Sequence, residues 1–224
     1  MDIATIYWHK MRAGSMTDGP DGPRAVLWLS GCSLHCAGCQ NQHLWTRTED
    51  QKQSVSSTVV RLRQLAGGRP LTITGGEPFD QTWGLSCLLF SLRAMDASDG
   101  VRRNIILYTG YTWRQLWCRL AEGDAALKLC LESIDVLVDG PYMQDQDTDG
   151  MQYRGSANQR VIDVPATIEA GGMVNPERII ELDWDSAQEV QIVDGFIVMT
   201  GAAFKALGLA GKVKMAPRCG QAGE

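Results

Sequence analysis

Short apolar runs alternate with helical patterns along the first 165 residues of this chain. Each run is rich in Val, Ile or Leu and ends near a glycine or a polar residue, which is typical of a strand buried in a sheet. The runs that predict strands are AVLWLS (25–30), LTITGG (71–76), NIILYTG (104–110), IDVLVDG (134–140) and RVIDV (160–164).

Helices are predicted between these strands. SSTVVRLRQLA (56–66) places its Val and Leu residues at helical spacing. We expect Asp80 to cap a second helix that runs through LSCLLFSLRAM. Thr112 and Gln115 form a capping-box pattern that opens a third helix.

Strands that alternate with helices predict parallel βαβ units. The strands are too few for a full eight-stranded barrel, so we expect an α/β fold with mainly parallel strands in an open, partial barrel. Ligands bind such folds at the carboxyl ends of the strands. These ends read SGC, TGGEP, YTGY and VDGPY. Glycines also form ordinary turns, but a glycine at each of these ends favours a ligand that the backbone approaches closely.

The pattern changes after Val164. EVQIVDGFIVMTG (189–201) predicts a hairpin with a two-residue turn at Asp194-Gly195, and AAFKALG (202–208) predicts a short helix. We therefore expect one domain over residues 1–165. Residues 166–224 are expected to be a C-terminal extension that is too short for an independent domain.

Composition narrows the classes of function. Hydrophobic residues make up 44% of the chain, which fits a globular core. The net charge of -5 and the absence of a basic stripe argue against a nucleic-acid partner. The longest apolar stretches are too short to cross a membrane, and the segment MDIATIYWHKMR lacks the features of a signal peptide. We expect a soluble, cytoplasmic protein.

Cysteine spacing supplies the candidate chemistry. Cys32, Cys36 and Cys39 lie within GCSLHCAGCQN (31–41), whereas the other four cysteines of the chain are isolated. In a reducing compartment such a cluster indicates metal binding, and isolated cysteines in apolar patterns are core residues. Structural zinc needs four ligands, and His35 and His43 are the nearby supplements. An iron–sulfur cluster held by three cysteines would leave one iron open.

The spacing CxxxCxxC, together with TGGEP at residues 74–78, resembles the radical S-adenosylmethionine superfamily. Further stretches resemble the activating enzymes of anaerobic, class III ribonucleotide reductases, in one order over residues 1–165. They are DGPRAVLWLSGCSLHCAGCQN, ITGGEPFDQ, YTGY, DVLVDGPYMQD and RGSANQRVI. Gly38, just before the third cysteine, also resembles these activases, whereas many superfamily members have an aromatic residue there.

This resemblance implies a radical S-adenosylmethionine type of partial barrel in which Cys32, Cys36 and Cys39 hold a [4Fe-4S] cluster. S-adenosylmethionine then supplies the missing ligand to the open iron. The residues expected to border S-adenosylmethionine are Gly75, Gly76, Glu77, Tyr108, Thr109 and Asp139. Asp139 has the alternative of a loop cap. His35 is not expected to be a ligand, and no side chain is assigned as a catalytic residue.

The resemblance also implies an enzymatic function. One electron, from flavodoxin or a similar donor, cleaves S-adenosylmethionine to a 5′-deoxyadenosyl radical. This radical abstracts the α-hydrogen of one glycine of anaerobic ribonucleoside-triphosphate reductase, the protein substrate. Two alternatives stay open: a related radical enzyme that acts on another peptide or a small metabolite, and a non-catalytic metal-binding module. Arg154 and Asn158 have open roles, with Arg154 in a carboxylate pair or a surface salt bridge.

Overall fold

The computed structural model describes residues 4–15, 18–20, 23–147, 153–184, 189–193, 196–200 and 213–214. The chain divides into two compact units, Met1–Leu182 and Asp183–Glu224. The expected domain boundary after residue 165 falls within a helix of the first unit. Within the described residues, no helix is long and apolar enough to cross a membrane.

Within the described part of the first unit, seven strands form one mixed sheet. The strands are β1 (Thr5–Ser15), β2 (Arg24–Leu29), β3 (Lys52–Ser54), β4 (Leu71–Gly75), β5 (Ile105–Tyr108), β6 (Val136–Asp139) and β7 (Arg160–Asp163). Their order across the sheet is β3-β1-β2-β4-β5-β6-β7. Strands β2, β4, β5 and β6 are parallel, while β1, β3 and β7 pair antiparallel at the two sides. The α/β class with a parallel centre is confirmed.

Helices follow the strands, as the patterns predict. The α-helices are α1 (Val55–Ala66), α2 (Thr82–Ser98), α3 (Trp113–Ala121), α4 (Ala125–Glu132) and α5 (Val164–Glu169). The capping box of Thr112 and Gln115 at the start of α3 is confirmed. The prediction that Asp80 caps α2 is wrong. A short 3-10 turn, Pro78–Gln81, precedes α2, and the carboxylate of Asp80 bonds the side chains of other segments instead.

The two faces of the sheet differ in burial. Ala25, Leu27 and Leu29 of β2 belong to the main hydrophobic core, together with the apolar faces of α1 to α4. Side chains alternate along a strand, so Trp28 points to the opposite face, where it lies beside Thr74 of β4. Both side chains are half-buried there. The face without helices is therefore the one that carries polar and aromatic groups near the carboxyl strand ends.

Residues 166–182 belong to the first unit and pack against its strands and helices. The indole nitrogen of Trp113 in α3 donates to the carbonyl of Gly172 at 3.3 Å, and Asp163 in β7 donates its amide to the carbonyl of Ile180 at 2.9 Å. In the second unit, β8 (Glu189–Val193), β9 (Phe196–Thr200) and β10 (Val213–Lys214) form an antiparallel sheet. The predicted turn at residues 194–195 and the predicted helix over 202–208 lie outside the described residues.

Candidate functional site

The three clustered cysteines lie in one loop, residues 31–41, between β2 and the short 3-10 helix Gln42–Leu44. Backbone hydrogen bonds hold the start of this cysteine loop. Gly31 donates its amide to the carbonyl of Leu44 at 2.7 Å, and Cys32 donates to that of Trp45 at 3.0 Å. His35 has a φ of 47°, a conformation that non-glycine residues adopt less often. The loop thus turns tightly between its first and second cysteines.

The thiols are only partly buried. Burial raises the pKa of the Cys32 thiol, and hydrogen bonds from the backbone of Leu34 and His35 oppose that rise. The sulfur of Cys39 accepts the amide of Asn41 at 3.4 Å. Amide donors aimed at sulfur favour the thiolate, which is the form that binds metals.

The carboxyl end of β4 packs directly against the cysteine loop. Gly76 donates its amide to the carbonyl of Leu29, and Glu77 donates to that of Gly31, each at 2.8 Å. A Cβ on Gly76 would lie 2.3 Å from the carbonyl oxygen of Gly31. Glycine at this position is therefore required for two backbone segments to touch. Gly75 makes a similar approach, since a Cβ there would lie 2.6 Å from the carbonyl oxygen of Leu29.

The side chain of Glu77 is buried between two strand ends. One carboxylate oxygen accepts the amide of Phe79 at 2.9 Å and the hydroxyl of Thr109 at 2.8 Å. The other oxygen accepts the amide of Gly110 at 2.8 Å. Burial raises the pKa of Glu77 to about 7, and these hydrogen bonds counteract part of the effect. Glu77 thus links the TGGEP turn after β4 to the YTGY turn after β5.

Asp80 forms a second link from the β4 segment to the cysteine loop. Its carboxylate accepts the amide of Ser33 at 2.6 Å, the hydroxyl of Ser33 at 3.0 Å and the phenol of Tyr111 at 3.0 Å. Burial raises the pKa of Tyr111. The bond to Ser33 falls directly after the first cysteine, so Asp80 fixes the backbone that leaves Cys32.

The ends of β5 and β6 also reach the cysteine loop. A Cβ on Gly110 would lie 2.3 Å from a methyl carbon of Leu34, so Gly110 makes room for that loop side chain. A Cβ on Gly38 would lie 2.5 Å from the amide oxygen of Gln144, which follows β6. A cleft of 500 Å³ opens beside this contact and is lined by Ala37, Tyr142, Met143, Gln144 and Asp145. The strand ends that carry the glycine motifs therefore surround the cysteine loop.

Two residues that were expected to contact the cofactor form hydrogen bonds to other groups of the protein. Tyr108 donates its hydroxyl to the carbonyl of Tyr153 at 2.6 Å, and burial raises the pKa of Tyr108. The buried carboxylate of Asp139 accepts the amide of Trp113 at 2.6 Å and pairs with Arg160 at 2.5 Å. Asp139 thereby bonds the first residue of α3, as a capping carboxylate does.

The residues with open roles also make identifiable contacts. The ring of His35 contacts that of Trp45 at a tilt of 38°, with centroids 4.6 Å apart. Arg154 donates to the carbonyl of Gln159 at 2.9 Å, and Asn158 donates to that of Pro141 at 2.8 Å. These bonds hold residues 154–159 together and against the residues that follow β6.

The donor set fits an iron–sulfur cluster. Within the described residues, no three His, Cys, Asp or Glu side chains converge closely enough to hold a single metal ion. A [4Fe-4S] cluster binds each cysteine at a different iron and does not require that convergence. Three partly exposed thiols on one loop, with an amide directed at the Cys39 sulfur, are groups that such a cluster binds.

Several residues of the site were missed by sequence reasoning. Ser33, Tyr111 and Gln144 lie within the stretches GCSLHCAGCQN, YTGY and DVLVDGPYMQD but were not assigned a role, and Arg47 lies outside every quoted stretch. Gln81 also belongs to the site, because its amide group donates to the carbonyls of Tyr7 at 3.0 Å and Ser30 at 3.3 Å. The quoted stretch ITGGEPFDQ likewise contains both Asp80 and Gln81, so the resemblance was the available signal for these residues.

Known proteins resemble this chain over the same region. Residues 18–162 match the family model described as 4Fe-4S single cluster domain. The anaerobic ribonucleoside-triphosphate reductase-activating protein of Vibrio cholerae is 32% identical over 162 residues, covering 69% of this chain and 96% of the relative. Its counterpart in Escherichia coli K12 is 28% identical over 160 residues, covering 70% and 97%. Among solved structures, QueE from Escherichia coli aligns with a TM-score of 0.40 and 22% identity, covering 48% of this chain and 54% of that one.

Proposed function

Because this chain belongs to the 4Fe-4S single cluster domain family and to the anaerobic ribonucleoside-triphosphate reductase-activating proteins, we propose that it activates such a reductase. It is a radical S-adenosylmethionine enzyme whose protein substrate carries the glycine that becomes a radical. The observation that carries the proposal is the three-cysteine loop packed against the glycine-containing ends of β4, β5 and β6.

Cys32, Cys36 and Cys39 would hold the [4Fe-4S] cluster. When bound, the cluster supplies the electron that cleaves S-adenosylmethionine into methionine and a 5′-deoxyadenosyl radical, which then takes the α-hydrogen of a glycine. The protein positions the reactants, because correct placement of reacting groups supplies much of the rate. Glu77 and Asp80 contribute by fixing the β4 and β5 ends relative to the loop.

The finer parts of the proposal concern S-adenosylmethionine. The backbone at Gly75, Gly76 and Glu77 borders its methionine part, and the β5 end at Tyr108 and Thr109 borders the methionine or the adenosine. Support comes from the position of both strand ends beside the cysteine loop. Asp139 stays a predicted contact to the ribose or the amino group. The proposal also includes an open, partial barrel of strands, flavodoxin as the electron donor and a cytoplasmic location.

An anaerobic assay tests this function. Reduced protein, S-adenosylmethionine and an anaerobic ribonucleotide reductase are mixed, and a glycyl doublet is sought by EPR together with 5′-deoxyadenosine. We expect both signals from the parent and neither from Cys36→Ala. Production of 5′-deoxyadenosine without a doublet would favour another peptide or a small metabolite as substrate. A colourless, zinc-loaded protein after anaerobic purification would contradict both enzymatic functions.

A further inference from the structure

Charge is distributed unevenly along this acidic chain. Residues 1–69 contain eight Lys and Arg against five Asp and Glu, whereas residues 70–224 contain 13 against 21. The first segment supplies β1, β2, β3 and the cysteine loop. Part of this positive charge, at Lys10, Arg47 and Lys52, lies on strands and in a segment near the candidate cluster site, while most of the negative charge belongs to later segments.

Several exposed cationic and imidazole groups of this region lie on β1, on β3 and in the segment between the cysteine loop and β3. We name this surface the basic edge, and it consists of His9, Lys10, His43, Arg47 and Lys52.

Aromatic rings support the basic edge. The guanidinium of Arg47 and the ammonium of Lys52 lie 5.4 Å and 5.8 Å from the ring centroid of Tyr7. The ammonium of Lys10 lies 5.8 Å from the ring of Trp28. Cations over aromatic rings are held in place without a carboxylate partner. The charges of Lys10 and Arg47 therefore stay available to an external group.

Acidic residues neutralise only part of the surface. Glu49 lies 3.7 Å from the ammonium of Lys52. Within the residues that the structure describes, Lys10 and Arg47 have no carboxylate partner. A ring contact of 5.5 Å joins His9 on β1 to His43, which follows the cysteine loop. The basic edge thus continues from β1 to the cysteine loop.

Arg47 connects the basic edge to the first cysteine. Its guanidinium donates to the carbonyl of Asp80 at 3.0 Å and to that of Ser30 at 3.4 Å. Arg47 also lines a cleft of 430 Å³, whose other lining residues are Gly31, Cys32, Ser33, Trp45 and Asp80. A partner seated on the basic edge would therefore lie beside the open cleft that Cys32 lines.

We propose that the basic edge docks an acidic one-electron carrier protein, which delivers its electron through the cleft beside Cys32. The proposal rests on the proposed function, since it assigns the place where the reducing electron enters. The carrier would give one electron to the cluster held by Cys32, Cys36 and Cys39, so no other reactant is needed. Charge complementarity of this kind acts mainly on the rate of encounter and is weakened by salt.

Binding of flavodoxin, as the acidic probe, tests the docking surface separately from catalysis. The holoenzyme parent is compared with Lys10→Glu and with Lys128→Glu, a charge reversal at an exposed lysine on α4. We expect Lys10→Glu to raise the flavodoxin Kd by about tenfold at low ionic strength and Lys128→Glu to change it less than about twofold. Added salt should reduce the difference between Lys10→Glu and the parent. Equal Kd values for the two variants would overturn the proposal.

A measurement of activity distinguishes the docking proposal from the proposed function. With dithionite as the reductant, cleavage of S-adenosylmethionine by Lys10→Glu should equal that of the parent, and with reduced flavodoxin it should be slower. A parent that binds flavodoxin through the basic edge but cleaves nothing with dithionite would contradict the proposed function and leave the docking surface supported. A lower glycyl-radical yield from Lys10→Glu under dithionite, with unchanged flavodoxin binding, would assign the basic edge to the reductase and overturn the proposal.

Discussion

The buried carboxylate of Glu77 accepts the backbone amide of Gly110 at 2.8 Å. This bond joins the turn after β4 to the turn after β5, and both turns contact the cysteine loop. Glu77 was expected to border S-adenosylmethionine. That contact stays a prediction for its backbone, while its side chain in the structure ties two neighbouring strand ends together.

Glu77→Gln should weaken binding of S-adenosylmethionine by about tenfold without loss of the cluster. The amide oxygen of Gln can still accept from Phe79 and Thr109, but its NH2 group then faces the amide of Gly110, and two donors repel. The β5 turn would move relative to the loop. Equilibrium binding to the reconstituted protein measures this effect, with the exposed Glu122→Gln as the control. Equal affinity of Glu77→Gln and the parent would argue against the tie.

The same carboxylate should make stability depend on pH. Burial raises the pKa of Glu77 in the folded protein from 4.5 to about 7. Its contribution to stability is therefore fully present below about pH 4.5 and is lost as the pH rises through about 7, because the unfolded chain releases the proton first. Relative to Glu77→Gln, the parent should lose up to about 3 kcal/mol between about pH 5 and pH 8. Chemical denaturation measures this difference, and parallel curves for the two proteins would contradict it.

Local patterns predicted the central strands and the cysteine loop because those signals lie within a few residues of one another. The apolar runs fall on β2, β4, β5, β6 and β7. They did not predict β1, whose register shifts between Trp8 and Lys10 and whose exposed residues are polar. An irregular strand near the side of a sheet has a weak alternating pattern.

The sequence alone did not predict the contacts between segments that lie far apart in the chain. Asp80 follows the pattern of a helix cap, yet it bonds Ser33, which lies 47 positions earlier. Gln144 reaches the cysteine loop because β6 and β2 belong to one sheet. Arg47 reaches Ser30 because the chain turns back after the cysteine loop. Such pairings depend on tertiary structure, and a single sequence holds no periodic signal for them.

Asp80→Ala should loosen the cysteine loop and shorten the lifetime of the cluster. The substitution removes the acceptor for the amide and hydroxyl of Ser33 and for the phenol of Tyr111. We expect the absorbance near ~400 nm to decay about tenfold faster in air than in the parent. Tyr111→Phe removes one of these bonds and should give a smaller effect, while the exposed Asp50→Ala serves as the control. Equal decay rates for Asp80→Ala and Asp50→Ala would refute the role of Asp80.

The substitution Asp139→Asn tests whether Asp139 caps α3 or contacts S-adenosylmethionine. The carboxylate bonds the amide of Trp113 and pairs with Arg160, whose side chain is 35% exposed. We expect a loss of about 1–3 kcal/mol in the free energy of unfolding, because a buried charged acceptor becomes neutral. The affinity for S-adenosylmethionine should change less than about twofold. A large loss of affinity with unchanged stability would instead support the predicted contact to the ribose or amino group.

Gly76→Ala tests the close approach of β4 to the cysteine loop. The added Cβ would lie 2.3 Å from the carbonyl oxygen of Gly31, and that neighbour is backbone and has no rotamer to change. We expect a loss of at least about 1–3 kcal/mol in stability and a lower iron content, because the loop is pushed away from the strand end. Gly68→Ala is the matched control, since its Cβ would meet nothing within 4 Å. Thermal unfolding and iron analysis of both variants measure the effect. If Gly76→Ala retains the stability and iron content of Gly68→Ala, the two backbones are not held in this contact.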